Sequence, residues 1–275
     1  MASMLIFGLG YSAKAIAARL REQGWAVRAT GRDGDLAFAD RAGVAYALDA
    51  ATHVLSSVPP GEADPVLAAY GPKLGGKWLG YLSSTGVYGD TAGAWVDESA
   101  PIGTGRRSAR AEADRAWQAL GARVFRLPGI YGPGRSALDR VRAGAAHRID
   151  APGQVFSRIH VDDLASGVVA GLAAPPGDYN LADDEPAGQN SVIEEACRLL
   201  GVEPPPLARL DDAGLSPQAR AFYSENRRVA NGKAKRVLGW RPAYPTFREG
   251  LRALSAMTSP ASATADPATA SAVQR

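Results

Sequence analysis

Seven residues near the start of the chain, Phe7-Gly8-Leu9-Gly10-Tyr11-Ser12-Ala13, restrict the fold more than any other stretch. They follow the apolar run Met4-Leu5-Ile6 and precede an amphipathic segment, which is where a first strand turns into a first helix. In that setting Gly8 makes the tight turn, Gly10 lets the backbone approach a pyrophosphate, and Ala13 stands where a third glycine would pack helix against strand. The helix beginning at Tyr11 and Ser12 would point its free N–H groups and positive dipole end at the phosphates. The expectation is dinucleotide binding through Gly8, Gly10, Tyr11 and Ser12; a purely structural turn is the competing reading.

The end of the second apolar run reads Ala29-Thr30-Gly31-Arg32-Asp33. An acidic residue at that place holds a ribose 2′-hydroxyl, whereas a 2′-phosphate needs a cation. Thr30 and Gly31 occupy the acid's place, and the planar fork of Arg32 suits a phosphate. The expected cofactor is therefore NADP, with NAD possible because Asp33 follows.

Short apolar runs alternate with helical patterns through the first half, the rhythm of βαβ units feeding a parallel sheet. Strands are expected at 4–8, 25–30, 44–48, 52–58, 77–84 and 122–127. Helices are expected at about 12–23, 63–74 and 106–120, with a weaker one near 35–42. After Leu127 the stretch PGIYGPGR forbids regular structure and marks a loop leaving the sheet. Helices near 161–173 and 190–200, a short strand near 179–181 and two helices around 231–238 and 246–257 follow. The fold class is α/β, a doubly wound parallel (Rossmann) sheet with a small C-terminal substrate lobe. Residues 1–132 would form the dinucleotide-binding core, completed by about 160–181, and 133–159 with 182–258 the lobe. Residues 259–275 have no aromatic and one Val, so a disordered tail is expected there.

Composition removes several function classes. Of 275 residues, 31 are Lys or Arg and 28 Asp or Glu, dispersed without a run of like charge, so the net +3 gives no reason to expect nucleic acid as a partner. One cysteine and three histidines, without metal-ligand spacing, argue against a disulfide scaffold or a metal centre. No apolar run reaches the roughly 18 to 20 residues that cross a bilayer, and the N-terminus lacks a basic, cleavable leader. A cytoplasmic protein with a small-molecule substrate and no membrane partner is expected; monomer and homodimer stay open.

Several separated segments together resemble the extended short-chain dehydrogenase/reductase superfamily, of the epimerase/dehydratase type. They are GLGYSA, LSSTGVYGD with WVDES, FRLPGIYGPGR, RIHVDDLA, YNLADDEP and NRRVANGKAKRVLGW, in the family's order from residue 4 to about 254. The resemblance implies a nicotinamide cofactor across the sheet's carboxyl edge. It places the active-site hydroxyl on Ser84, a cofactor-lining loop on Ser56 and Ser57, and the segment beside the nicotinamide on Pro128 and Gly129. Tyr131 falls on the substrate side.

The family's Tyr-x-x-x-Lys pair is absent. No lysine occurs between Lys77 and Lys233, and no tyrosine has a lysine four residues on. The alignment puts Arg106 at the tyrosine place and Arg110 at the lysine place, which makes the chain similar to an atypical YeeZ-like subgroup. A guanidinium, with a pKa above about 12, is no practical proton donor. Arg106 can still polarise a carbonyl or grip an anion, and Arg110 can hold ribose hydroxyls; the bland reading of both is an Arg-rich solvated helix carrying an Arg110–Asp114 pair. Phe156 stands where nucleotide-sugar members carry a diphosphate-binding Arg, which argues against sugar nucleotides, while Arg158 would meet an anionic group or brace the lobe. The expected function is an NAD(P)-dependent oxidoreductase of a small carbonyl or hydroxyl compound. The alternative is a non-catalytic NAD(P)-binding redox sensor. A Ser-His-Asp hydrolase fits poorly without a GxSxG elbow.

Overall fold

The computed structural model describes residues 2–105 and 108–258. Six parallel strands make the main sheet: β1 (Ser3–Phe7), β2 (Ala26–Ala29), β3 (His53–Ser56), β4 (Trp78–Ser84), β6 (Arg123–Leu127) and β10 (Gly177–Asn180), with β5 (Trp95–Val96) lying outside it. Their spatial order is β2-β1-β3-β4-β6-β10. Ile6 pairs with Ala29, Phe7 with Ser56 and Ser84 with Leu127, so the carboxyl ends share one edge.

Helices cover both faces. On one, α1 (Tyr11–Glu22) buries Ile16, Ala17 and Leu20 beside Leu164, Ala165 and Val168 of α6 (Val161–Ala170). On the other, α2 (Arg41–Ala50), α3 (Pro65–Tyr70) and α4 (Ser108–Ala119) contribute Val44, Leu48, Val66, Tyr70 and Trp117. Strands buried on both faces need near-continuous apolar sequence, which explains why these runs are readable.

Residues 44–48 are not the strand that their apolar run suggested. The Asp40 carboxylate accepts from Gly43 N at 2.9 Å and caps α2, whose buried Val44, Ala47 and Leu48 recur at helical spacing. The sheet consequently ends at β2, and a lone parallel bridge between Thr30 and Leu36 continues it outward. The helix expected over 63–74 stops at Tyr70 and passes into a 3₁₀ turn, Gly71–Lys73, containing Pro72.

The remaining elements are β7 (Gly129–Tyr131), a short strand inside the stretch expected to hold no regular structure, α5 (Ala137–Arg142), β8 (Arg148–Ile149), β9 (Arg158–His160), α7 (Gln189–Leu200), β11 (Leu207–Ala208), α8 (Pro217–Phe222), β12 (Arg228–Val229), α9 (Gly232–Val237) and α10 (Phe247–Thr258). A separate apolar core, that of a small lobe, packs Leu138 against Ile193, Phe247 and Leu251. Among the described residues no helix is long and apolar enough to cross a membrane, and no group of three or more His, Cys, Asp or Glu could hold a metal ion. The expected tail, 259–275, lies outside the described residues.

Candidate active site

The chain reverses its direction of winding at β1, because β2 lies on one side of it and β3 on the other. Such a switch point opens a crevice at the carboxyl edge. Gly8 lines it with φ +85°, and a Cβ there would come within 3.0 Å of Val58 Cγ2 and 3.2 Å of Ser57 Oγ. Its N–H donates to Thr30 Oγ1 at 3.1 Å, and Ser57 Oγ donates to its carbonyl at 2.5 Å. A Cβ on Gly10 would meet nothing within 4 Å. Gly10 caps α1 in extended conformation without a side-chain hydrogen bond, so the first-turn N–H groups keep their capacity for an acceptor. Ser12 is half-buried in that turn, and Tyr11 donates from its hydroxyl to Pro133 O at 3.1 Å. Ser56 Oγ, wholly buried at the end of β3, has no hydrogen-bond partner among the described residues. An open-backed glycine, an uncapped helix start and an unpartnered hydroxyl around one crevice fit a dinucleotide.

At the crevice mouth, Gly31 at φ +119° brings the turn after β2 against Leu9 N. The Arg32 side chain is 95% exposed, with Nε 3.5 Å from Asp33 Oδ1. Asp33 is paired with Lys14 at 2.6 Å, and that hydrogen bond holds its carboxyl below the usual carboxylate range.

Ser84 closes β4, half-buried, and its Oγ accepts from Gly86 N at 3.1 Å. The hydroxyl hydrogen is thereby left for donation to another acceptor. Beneath it lies a buried polar network that the sequence did not reveal. Arg126, 2% exposed, donates from Nε and Nη2 to the two oxygens of Asp114 at 3.1 and 2.9 Å, and from Nη1 to Tyr88 Oη at 3.0 Å; Nη1 also lies 2.8 Å from Asp178 Oδ2. Ser83 Oγ donates to Asp114 at 2.6 Å, and Tyr88 donates to Asn180 Oδ1 at 2.8 Å. Burial, opposed by Arg126, pushes the Tyr88 phenol up to about 12. The Asp114 carboxylate that Arg110 was expected to meet on the surface is thus completely buried and held by Arg126. The Arg110 guanidinium acts instead on the buried Tyr81 hydroxyl, lowering a pKa that burial raises more strongly. Arg106 lies outside the described residues.

Pro128 and Gly129 lead from β6 into β7, and Gly129 N donates to Ser157 O at 3.2 Å, the first rung between β7 and β9. Phe156 is half-buried one residue earlier, edge-on to Tyr223. Arg158 is 7% exposed, and burial pulls its pKa down to about 10. It braces the lobe by donating from Nη1 to Phe156 O and Ala187 O at 2.7 and 2.9 Å and from Nη2 to Gln189 Oε1 at 3.1 Å. Tyr131 is turned into the lobe core against His160, with its hydroxyl buried and its pKa raised by burial. The structure thus gathers Gly8, Gly10, Ser56, Ser57, Ser84, Pro128 and Gly129 at one edge and sets Tyr131 and Arg158 in the packing behind it.

No family model matches the chain. It is 32% identical over 179 residues to a 3-diazoavenalumate denitrifying reductase of a Streptomyces species, and 29% identical over 172 residues to Protein YeeZ of Escherichia coli strain K12. Each match covers 60% of this chain and 58% of the relative's length. A functionally unknown conserved protein from Silicibacter pomeroyi DSS shares 43% identity and a TM-score of 0.83, over 94% of this chain and 99% of that one. The chain shares its family with this Silicibacter pomeroyi protein, over nearly the whole of both chains, and is similar over part of its length to the two curated relatives. The human epimerase family protein SDR39U1 (isoform2), solved with NADPH, shows the same fold at 17% identity, TM-score 0.74, over 92% of this chain and 99% of its own. The present chain has the glycine crevice and Ser84 at the end of β4, and the Tyr-x-x-x-Lys pair is missing from it. Its buried tyrosines do not restore the pair: the Tyr88 phenol is locked between Arg126 and Asn180, and Tyr131 faces away into the lobe core.

Proposed function

We propose that the protein is a nicotinamide-dependent reductase, with NADPH preferred through Arg32, that delivers hydride to a small acceptor held at Ser84 without a phenolic acid. When bound, the cofactor supplies the hydride; Gly8, Gly10, Ser12 and the first turn of α1 would hold its pyrophosphate, and Ser56, Ser57, Pro128 and Gly129 its nicotinamide half. The observation that carries the reading is Ser84. Its oxygen is occupied as an acceptor, so its hydrogen is what it offers a substrate. Arg106 is proposed to stabilise the charge that develops on the acceptor.

A site with no phenolic acid among its described residues suits acceptors that need no concurrent protonation. The reaction named for the Streptomyces relative is of that kind in general chemical terms: hydride forms a C–H bond while the C–N bond breaks and its electron pair leaves with dinitrogen. Electron-poor carbonyl compounds, protonated from solvent, are the other class. The test measures NADPH and NADH affinity by fluorescence titration, then NADPH loss at 340 nm with aryl diazonium salts, aldehydes and ketones. Turnover of at least one acceptor is expected. Tight binding without turnover across the panel would assign a cofactor-binding sensor instead. Arg32→Ala should weaken NADPH by roughly 10- to 150-fold, the loss of one charge-assisted contact, and spare NADH; equal effects on both would remove the NADP assignment.

A further inference from the structure

Beside α1 and α6 lies a cavity of about 520 Å³, a size that small organic ligands fill. Three parts of the chain line it: Arg19 in the last turns of α1, the stripe Asp162, Ser166 and Ala170 on α6, and the segment 239–244 that links α9 to α10. Residues four apart share one face of a helix, so α6 turns a single side toward it. Arg19 is far down α1 from the glycine crevice: nine residues past Gly10 at 1.5 Å each make about 14 Å. The cavity wall is held open by its own bonds. Trp240 Nε1 donates to Ser166 Oγ at 2.9 Å, Ser166 donates on to Asp163 O at 2.9 Å, and the Asp163 carboxylate accepts from the Ala243 and Tyr244 N–H groups.

The donors around this cavity are unspent. Arg19 and Arg241 are exposed, and among the described residues neither guanidinium has a hydrogen bond or a carboxylate within ion-pair distance. The hydroxyl of half-buried Tyr244 has no hydrogen-bond partner among those residues either. Two carboxylates stand against them. Asp163 is buried with both oxygens engaged, and Arg19 acts on it only from beyond ion-pair distance. Asp162 keeps an open acceptor: its side chain is 51% exposed, and His160 Nδ1, 3.6 Å away, already accepts the Asp162 N–H and so has no proton to give the carboxylate. Two free guanidinium groups and one open carboxylate suit an anion that brings a hydroxyl of its own.

We propose that this cavity is a binding site, separate from the crevice, for a small hydroxylated organic anion whose carboxylate or phosphate is taken by Arg19 and Arg241 and whose hydroxyl donates to Asp162. Bound there, the ligand ties α1, whose first turn faces the crevice, to the segment that precedes α10, and stabilises the native chain independently of the cofactor. The site stands whether or not the crevice turns over a substrate.

Calorimetric titration of the full chain with glycerol 3-phosphate, glycerate and glycerol compares a phosphate, a carboxylate and no charge on one body. At least one anion should bind at a single site about tenfold or more tighter than glycerol, and the tighter of the two names the head group. Arg19→Gln and Arg241→Gln should each weaken that anion about tenfold, the loss of one charge-assisted contact. Both side chains are exposed and unpaired, so the fold does not depend on them. Arg21→Gln, on the same helix but bonded to Val27 O outside the cavity, should change nothing. Saturating NADPH should leave the anion in place. Anions held no tighter than glycerol, or unweakened by either cavity variant, would overturn the site. So would an equal loss in Arg21→Gln, which would assign the binding to diffuse surface charge, or displacement by NADPH, which would assign it to the crevice.

Discussion

Asp183 is 2% exposed, and neither of its carboxylate oxygens has a hydrogen-bond partner among the described residues. Burial, opposed by the Arg158 guanidinium, raises this carboxyl to about 8, against about 3.9 for an unfolded chain. Between about pH 4 and pH 8 the native protein therefore keeps a proton that the unfolded chain has lost, and stability should fall as pH rises across that window, by at most about 1.4 kcal/mol per pH unit. Asp183→Asn, which cannot ionise, should flatten that slope and be the more stable protein at pH 8; urea midpoints from pH 5 to pH 8 provide the check, and an unchanged slope would show that Asp183 does not carry it. Nothing local in YNLADDEP distinguishes buried Asp183 from the exposed Asp184 and half-buried Glu185 after it, because what holds it is β9, far away in sequence, where its N–H donates to Arg158 O. The crevice was legible for the opposite reason. Gly8, Gly10 and Ala13 act through their own backbone freedom and size, within one turn of chain.

At the scale of elements, five of the six strands expected in the first half belong to the main sheet, and 44–48 was misassigned. A run such as VAYAL suits a buried strand or a helical stripe equally, and here the Asp40 cap decides for the helix. Periodicity also could not show that β4, α4, β6 and β10 share one ion network, since Arg126 sits among Val124, Phe125 and Leu127 of its strand and its partners are 12 and 52 residues away. Removing one member of a buried pair leaves an uncompensated charge, which typically costs about 3 to 5 kcal/mol. Asp114→Ala should lose about that much in denaturant unfolding. Arg126→Met with Asp114→Leu should recover part of the loss, and a single-variant cost below about 1 kcal/mol would mean that the network contributes little.

For the whole molecule, a cofactor that binds only the native crevice must stabilise everything that unfolds with it. NADPH at 100 times its dissociation constant should add about 2.7 kcal/mol. In a protein of this size that corresponds to roughly 5 to 10 °C in melting temperature. A thermal scan with and without NADPH measures it, and Arg32→Ala should need correspondingly more NADPH for the same shift. Far-apart parts of the chain unfold together because its last third returns to its first. Trp240 and Ala234 share a core with Met4, Ile6 and Ile16, and the Asp163 carboxylate accepts from Ala243 N and Tyr244 N at 2.6 and 3.0 Å. During synthesis, then, the opening strand and its glycine turn emerge long before the indole that seals their core. A ribosome must add more than 200 further residues between that glycine turn and Trp240, so the core beneath the turn is closed by a partner made much later.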